Sequence, residues 1–200
     1  MTDEEVIGRI ASVPPQHAAI LPSEMLLFCR TCLNCGVRHV IESGRKYGYS
    51  TEVLCQFAWQ VSSIECSPER ESDARLSRYG NLEMIHGLTE HVLKQLFMDR
   101  PTAVLLDGPK GLVALSIMKK LWKSAAVWAV HDVYCGTKIR DELGKYDGFT
   151  FSDDPVYLSQ FGAMDMAALQ LRGYTSHSEL LPVGNVLGVV CRGQAKEDLL

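Results

Sequence analysis

The feature that most narrows the folds open to this chain is an alternation. Short runs suited to strands, at 37–41, 60–65, 82–85, 103–106 and 125–130, are separated by longer stretches with helical signals at 50–59, 68–79, 89–98 and 112–122. Strands joined through helices run parallel, because a return through a helix brings the chain back to the same edge of the sheet. The runs at 103–106 and 125–130 are apolar at nearly every position, as expected of strands covered by helices on both faces. The alternation therefore predicts an α/β protein, a doubly wound, mostly parallel sheet of seven strands.

Local punctuation supports this division. Pro14-Pro15 ends a short helix over 3–12. A second helix starts after Pro22 with Ser23 as its N-cap and runs to Cys35, where Gly36 supplies a left-handed stop. Beyond His131 the alternation weakens. Residues 137–143 are expected to be helical, 149–151 to begin a strand, and 186–191 to form the last strand of an antiparallel closing pair. Periodicity leaves 164–171 open between strand and helix. The expected organisation is an N-terminal helical extension, 1–22, followed by a single domain over 23–200.

Composition narrows the partners. A net charge of −4 and a pI near 5.9 argue against a general electrostatic grip on nucleic acid or anionic lipid. No apolar run approaches membrane-spanning length, and the start Met1-Thr2-Asp3-Glu4-Glu5 is acidic where a signal peptide would be basic. The seven scattered cysteines read as reduced thiols, and the expected location is cytoplasmic. Cys29, Cys32 and Cys35 have cluster-like spacing but lie inside a helix among Met25, Leu26, Leu27, Phe28 and Leu33. Buried thiols are expected there rather than a metal cluster. A small-molecule substrate is the expected partner, and a homo-oligomer is left open.

Ligands of open α/β sheets bind beyond the carboxyl ends of the strands. The first such turn is Glu42-Ser43-Gly44-Arg45-Lys46-Tyr47-Gly48-Tyr49-Ser50-Thr51. Its glycines permit a sharp turn and close backbone approach, and a helix start near Ser50 offers free N–H groups. Glu65 ends the second strand, where a carboxylate can accept both hydroxyls of a ribose.

Val40-Ile41-Glu42-Ser43-Gly44 with Gly48-Tyr49-Ser50-Thr51, then Ser63-Ile64-Glu65, then Leu105-Leu106-Asp107-Gly108-Pro109-Lys110-Gly111, resemble class I S-adenosylmethionine-dependent methyltransferases. The likeness is to the small O-methyltransferase group that includes catechol and caffeoyl-CoA enzymes, and it covers about residues 22–135. It implies S-adenosylmethionine as cofactor. Gly44, Gly48 and Tyr49 would lie in its loop, Glu42 would face its ammonium, Ser50 its carboxylate, Glu65 its ribose, and Gly87 its adenine. Arg45-Lys46 departs from the pattern, where many of the resembled enzymes have a small residue or glycine. Two cations suit a sulfonium poorly if they point inward, and the alternatives are that they face solvent, grip an anionic substrate or mark a phosphate-bearing nucleotide.

The resemblance also implies a reaction centre. Asp107 closes the fourth strand, Lys110 follows three residues later, and His131-Asp132 closes the fifth. By that likeness Asp107, His131 and Asp132 would ligate a divalent metal, with Lys110 as general base and Asp107 and His131 in the catalytic set. His131-Asp132 stands where the resembled enzymes carry an Asp-Asn pair. One His with two carboxylates suits Mn, Fe or Zn better than Mg. Tyr134 and Tyr157 are placed near a substrate by position alone. The expected activity is methyl transfer to a small-molecule acceptor, at oxygen rather than nitrogen. Two rivals stand beside it: an NAD-type nucleotide-dependent oxidoreductase, which Arg45-Lys46 favours and the missing G-x-G-x-x-G disfavours, and a catalytically silent cofactor-binding module.

Overall fold

The computed structural model describes residues 1–17, 20–96, 100–180 and 185–192. Seven strands form one sheet: β1 (His39–Ser43), β2 (Gln60–Glu65), β3 (Leu82–His86), β4 (Thr102–Leu106), β5 (Val127–Val130), β6 (Thr150–Phe151) and β7 (Gly188–Cys191). Their order is β3-β2-β1-β4-β5-β7-β6. The first five are parallel, and β7 pairs antiparallel with both β5 and β6. The antiparallel closing pair is thus as expected, with the last strand inserted between β5 and β6.

Side-chain alternation explains why the central strands are apolar throughout. On β4, Ala103 and Leu105 enter one core while Val104 and Leu106 enter the other. The first core also takes Val6 and Ile10 from α1 (Asp3–Ala11), and Met25, Leu26, Phe28 and Cys29 from α2 (Pro22–Asn34). It further takes Val53 and Leu54 from α3 (Tyr49–Cys55). The segment before residue 22 therefore shares the domain's main core. Cys29 and Cys32 are fully buried within it, and burial pushes their thiols well above the ordinary range. Among the described residues, no helix is long and apolar enough to cross a membrane.

Several boundaries moved for physical reasons. The N-cap of α2 is Leu21, not Ser23, because Glu24 reaches back to accept the Leu21 N–H at 2.7 Å and Pro22 opens the helix. Ser23 lies inside the helix and gives both its N–H and its hydroxyl to Asp165, at 2.7 and 2.6 Å. Helix α3 ends at Cys55 rather than 59, because the Asn81 amide bonds the carbonyls of Cys55, Phe57 and Trp59 and holds a turn before β2. After α4 (Arg70–Leu76), the segment expected to be helical over 89–98 is α5 (Thr89–Val92) followed by a 3-10 turn at Leu93–Gln95. Its expected end, Met98, lies outside the described residues. After α6 (Gly111–Leu121) and α7 (Lys138–Leu143), the undecided stretch over 164–171 is helical. It comprises the end of a 3-10 turn and α9 (Met166–Leu171), preceded by α8 (Pro155–Phe161), which periodicity missed. Asp154 caps α8 by accepting from Val156 and Tyr157 N–H at 2.9 and 3.0 Å. A last short helix, α10, spans His177–Leu180.

Candidate functional site

The carboxyl ends of β1, β2, β4 and β5 open into one cleft of about 1160 Å³, at the point where β1 has β2 on one side and β4 on the other and the strand order reverses. That slightly exceeds the roughly 300–1,000 Å³ usual for small-molecule sites. Gly44, Lys46, Glu65, Gly87, Asp107, Lys110, His131 and Asp132 all line it. Sequence positions far apart are therefore brought to one wall.

The β1–β2 side is built largely from backbone. Gly44 has φ +98°, and a Cβ there would lie 2.8 Å from the Gly108 N and 3.0 Å from the Asp107 carbonyl carbon, so only glycine fits where the two loops touch. Both oxygens of Glu65 are oriented by main-chain donors, Oε2 by the Lys46 N–H and Oε1 by the Ser67 N–H, each at 2.8 Å. A carboxylate has about four acceptor positions, so lone pairs remain for a ligand. Gly87 holds the next loop at φ +157°.

Four predicted residues stand back from this wall. Glu42 is fully buried beneath the loop, where it accepts from the hydroxyls of Thr51 and, at 2.6 Å, Ser63. Burial raises its pKa, and its Oε1 has no partner among the described residues. Ser50 is buried and is not part of the cleft lining. Gly48 adopts φ +80° as the cap of α3 and packs against Leu76. Tyr49 is buried in the first core.

The cations of the loop separate. Arg45 is 2% exposed and turns inward, giving Nε to Asp73 Oδ1 at 2.9 Å and Nη1 to the Ser63 carbonyl at 2.7 Å. It therefore braces the loop against β2 and α4. Lys46 remains at the cleft, with its ammonium over the Tyr47 ring at 5.0 Å.

The β4–β5 side is built from charge. His131 Nδ1 faces Asp107 Oδ1 at 2.8 Å, and Nε2 faces Glu24 Oε2 at 3.4 Å, an ion-pair separation too long for a good hydrogen bond. Lys110 Nζ donates to Asp107 Oδ1 and forms an ion pair with Asp132 Oδ2 at 2.7 Å. Burial alone would lower the pKa of His131, but Asp107 and Glu24 outweigh it and raise the imidazole to about 10. Burial likewise opposes the charge on Asp107, yet His131 and Lys110 hold its carboxyl well below the usual range. Lys110, expected as a base, has its pKa raised: the burial cost is exceeded by Asp107 and Asp132. Among the described residues, Asp107, His131 and Asp132 alone bring three metal-capable side chains together, with ligand atoms within 4.8 Å of one another.

Solved structures share the fold of this chain. A putative O-methyltransferase from Klebsiella pneumoniae superposes with TM-score 0.54 at 11% identity, over 94% of this chain and 88% of that one. An O-methyltransferase from Bacillus cereus, solved in complex with S-adenosylhomocysteine, gives 0.53 at 19% identity, over 94% and 90%. TomG, an O-methyltransferase of tomaymycin synthesis from Streptomyces achromogenes solved with S-adenosylmethionine, gives 0.50 at 18%, over 94% and 89%. The chain has the Rossmann-like methyltransferase fold. No protein-family model and no curated protein matches the sequence, so the likeness is carried by the fold.

The cleft is also lined by residues that no sequence motif singled out. Arg172, Tyr174, Leu180 and Asn185 arrive from the C-terminal segments and His17 from the N-terminal one. Glu24, buried on α2, supports His131 from behind. Its only sequence signal was its place three residues after Leu21, which marks a cap rather than a site. Tyr134 lines the cleft, whereas Tyr157 gives its hydroxyl to the Ser23 carbonyl at 2.7 Å.

Proposed function

We propose that this protein is an S-adenosylmethionine-dependent methyltransferase acting on a small-molecule acceptor at oxygen. The observation that carries the reading is Glu65. Its carboxylate ends β2, is fixed by two backbone N–H groups, and faces the cleft beside Gly44 in a sheet of methyltransferase order. Glu65 would accept the ribose hydroxyls, and Gly44 would leave the floor free of side chains where the methionine part lies. Gly87 and the exposed Leu88 and Leu112 would flank the adenine. The cofactor supplies a methyl group activated by positive sulfur. Lys110, Asp107 and His131 would border the transfer, and Tyr134, Arg172 and Tyr174 would shape the acceptor pocket.

Burial of Arg45 supports this reading over the oxidoreductase, because its guanidinium is committed to Asp73 and Ser63 and does not offer a phosphate grip. Calorimetry with S-adenosylmethionine, S-adenosylhomocysteine and NAD tests it. Binding of the first two but not NAD is expected. Binding of NAD alone would end the methyltransferase reading, and cofactor binding without turnover on any phenol or carboxylate would favour a silent binding module.

A further inference from the structure

The cysteine run of α2 gains a fourth member from the far end of the chain. Cys35 caps the helix at its carboxyl end. Strand β7 packs against α2, and its side chains alternate: Val189 enters the first core, which α2 shares, and Val190 the second. Cys191 therefore falls on the face that α2 covers. Its register partner is Val127, the first residue of β5, so it stands at the edge of the sheet opposite the cleft. That is also the edge where α2 ends, shortly before β1 begins at His39. The two thiols meet there, with Cys35 and Cys191 within hydrogen-bond reach of each other.

Burial separates this pair from its neighbours. Cys29 and Cys32 are 0% exposed, whereas Cys35 and Cys191 are half-buried. The four sulfurs do not converge on an ion. Among the described residues, the one group of three metal-capable side chains with ligand atoms within 4.8 Å of one another is that of Asp107, His131 and Asp132. What remains is a pair of adjacent, partly accessible thiols held by two packed elements, the arrangement that a covalent bridge requires.

We propose that Cys35 and Cys191 are an oxidative modification site, which closes into a disulfide when the protein meets hydrogen peroxide. One peroxide oxygen passes to the Cys191 sulfur, forming an S–O bond as the O–O bond breaks and water leaves. The Cys35 sulfur then attacks that of Cys191. The S–S bond forms, the S–O bond breaks, and the oxygen departs as a second water with the Cys35 proton. Two thiols lose two electrons, and the peroxide takes them to become water. Burial and the neighbouring Cys191 push the Cys35 thiol up to about 12, which makes Cys35 the resolving partner rather than the first to react. The bridge ties the second helix to the last strand and closes a loop on the order of 150 residues, which strongly restricts the unfolded chain.

The test uses the full chain, reduced, desalted and treated with hydrogen peroxide. Thiol titration after denaturation is expected to find two fewer thiols than the seven of the reduced chain, and peptide mapping to join Cys35 to Cys191. The oxidised protein should unfold at a temperature higher by roughly 5–10 °C, a gain that dithiothreitol reverses. Cys35→Ser and Cys191→Ser should each lose both the bridge and the gain, and thermal unfolding of the reduced variants shows that they are folded. Cys66→Ser and Cys135→Ser, at the two exposed thiols, should keep both. Seven thiols remaining after peroxide, a bridge mapped to another pair, or a gain that survives Cys191→Ser would overturn the proposal. Stoichiometric Zn2+ binding by the reduced chain that Cys191→Ser abolishes would overturn it in favour of a metal site.

Discussion

The two sides of the cleft are made by different means. Beside β1 and β2 the wall is backbone: Gly44 touches the Asp107–Gly108 peptide, and main-chain N–H groups aim Glu65. Beside β4 and β5 it is a chain of alternating charges, Glu24, His131, Asp107, Lys110 and Asp132, drawn from α2 and two strand ends. Backbone geometry is set by local residue types, so the first side depends on glycines and on one well-placed acid. A charge network is set by which side chains tertiary packing brings together. It is sensitive to pH and to loss of any member.

The sharpest break on the backbone side is Gly44→Ala. Its Cβ would meet backbone at 2.8 Å from a left-handed conformation, so a destabilisation of about 4 kcal/mol is expected from overpacking and strain combined, with loss of cofactor binding, read by chemical denaturation and calorimetry. Arg45→Ala should cost about 3 kcal/mol of stability by leaving Asp73 and the Ser63 carbonyl without their partner. If its main effect fell on cofactor affinity with stability unchanged, the inward role of Arg45 would be wrong.

The charged side is probed by Glu24→Gln, expected to cost about 2 kcal/mol and to lower the pKa of His131 as followed by NMR. The sign of the pH dependence follows from the shift. His131 is raised to about 10 in the folded state, so its contribution to stability is fully present below about 6.5 and is lost as pH rises towards 10. Asp107 is depressed, so its contribution is present above about 4 and is lost as pH falls further. Denaturation curves across that range should show the alkaline loss in the wild type and a smaller one in Glu24→Gln.

Glu65→Ala should weaken cofactor binding by about 1–2 kcal/mol with little effect elsewhere, since it leaves ribose hydroxyls unpaired. An unchanged affinity would remove the ribose assignment. Smallest of all, Lys46→Ala should change stability by no more than about 0.5 kcal/mol, because among the described residues its ammonium packs only on the ring of the exposed Tyr47.

The parallel sheet, its strand–helix alternation and the glycine turn followed by an acid were legible because they rest on local rules. Apolar residues buried on both faces of β4 have to form a continuous run, and a loop that touches another backbone has to use glycine at Gly44. The inward turn of Arg45 was not legible, since its partner Asp73 lies 28 residues away and only packing of α4 against β2 brings them together. Helix α8 and the Asp165–Ser23 bonds were hidden for the same reason, as were Arg172 and Tyr174 in the lining of the cleft. Sequence by itself determined where the glycine turn from Glu42 to Thr51 would stand on the sheet. Tertiary structure alone decided that Glu24 would stand behind His131 and that Lys110 would bridge Asp107 and Asp132, because charge pairing is a matter of distance in space and sequence spacing records only distance along the chain.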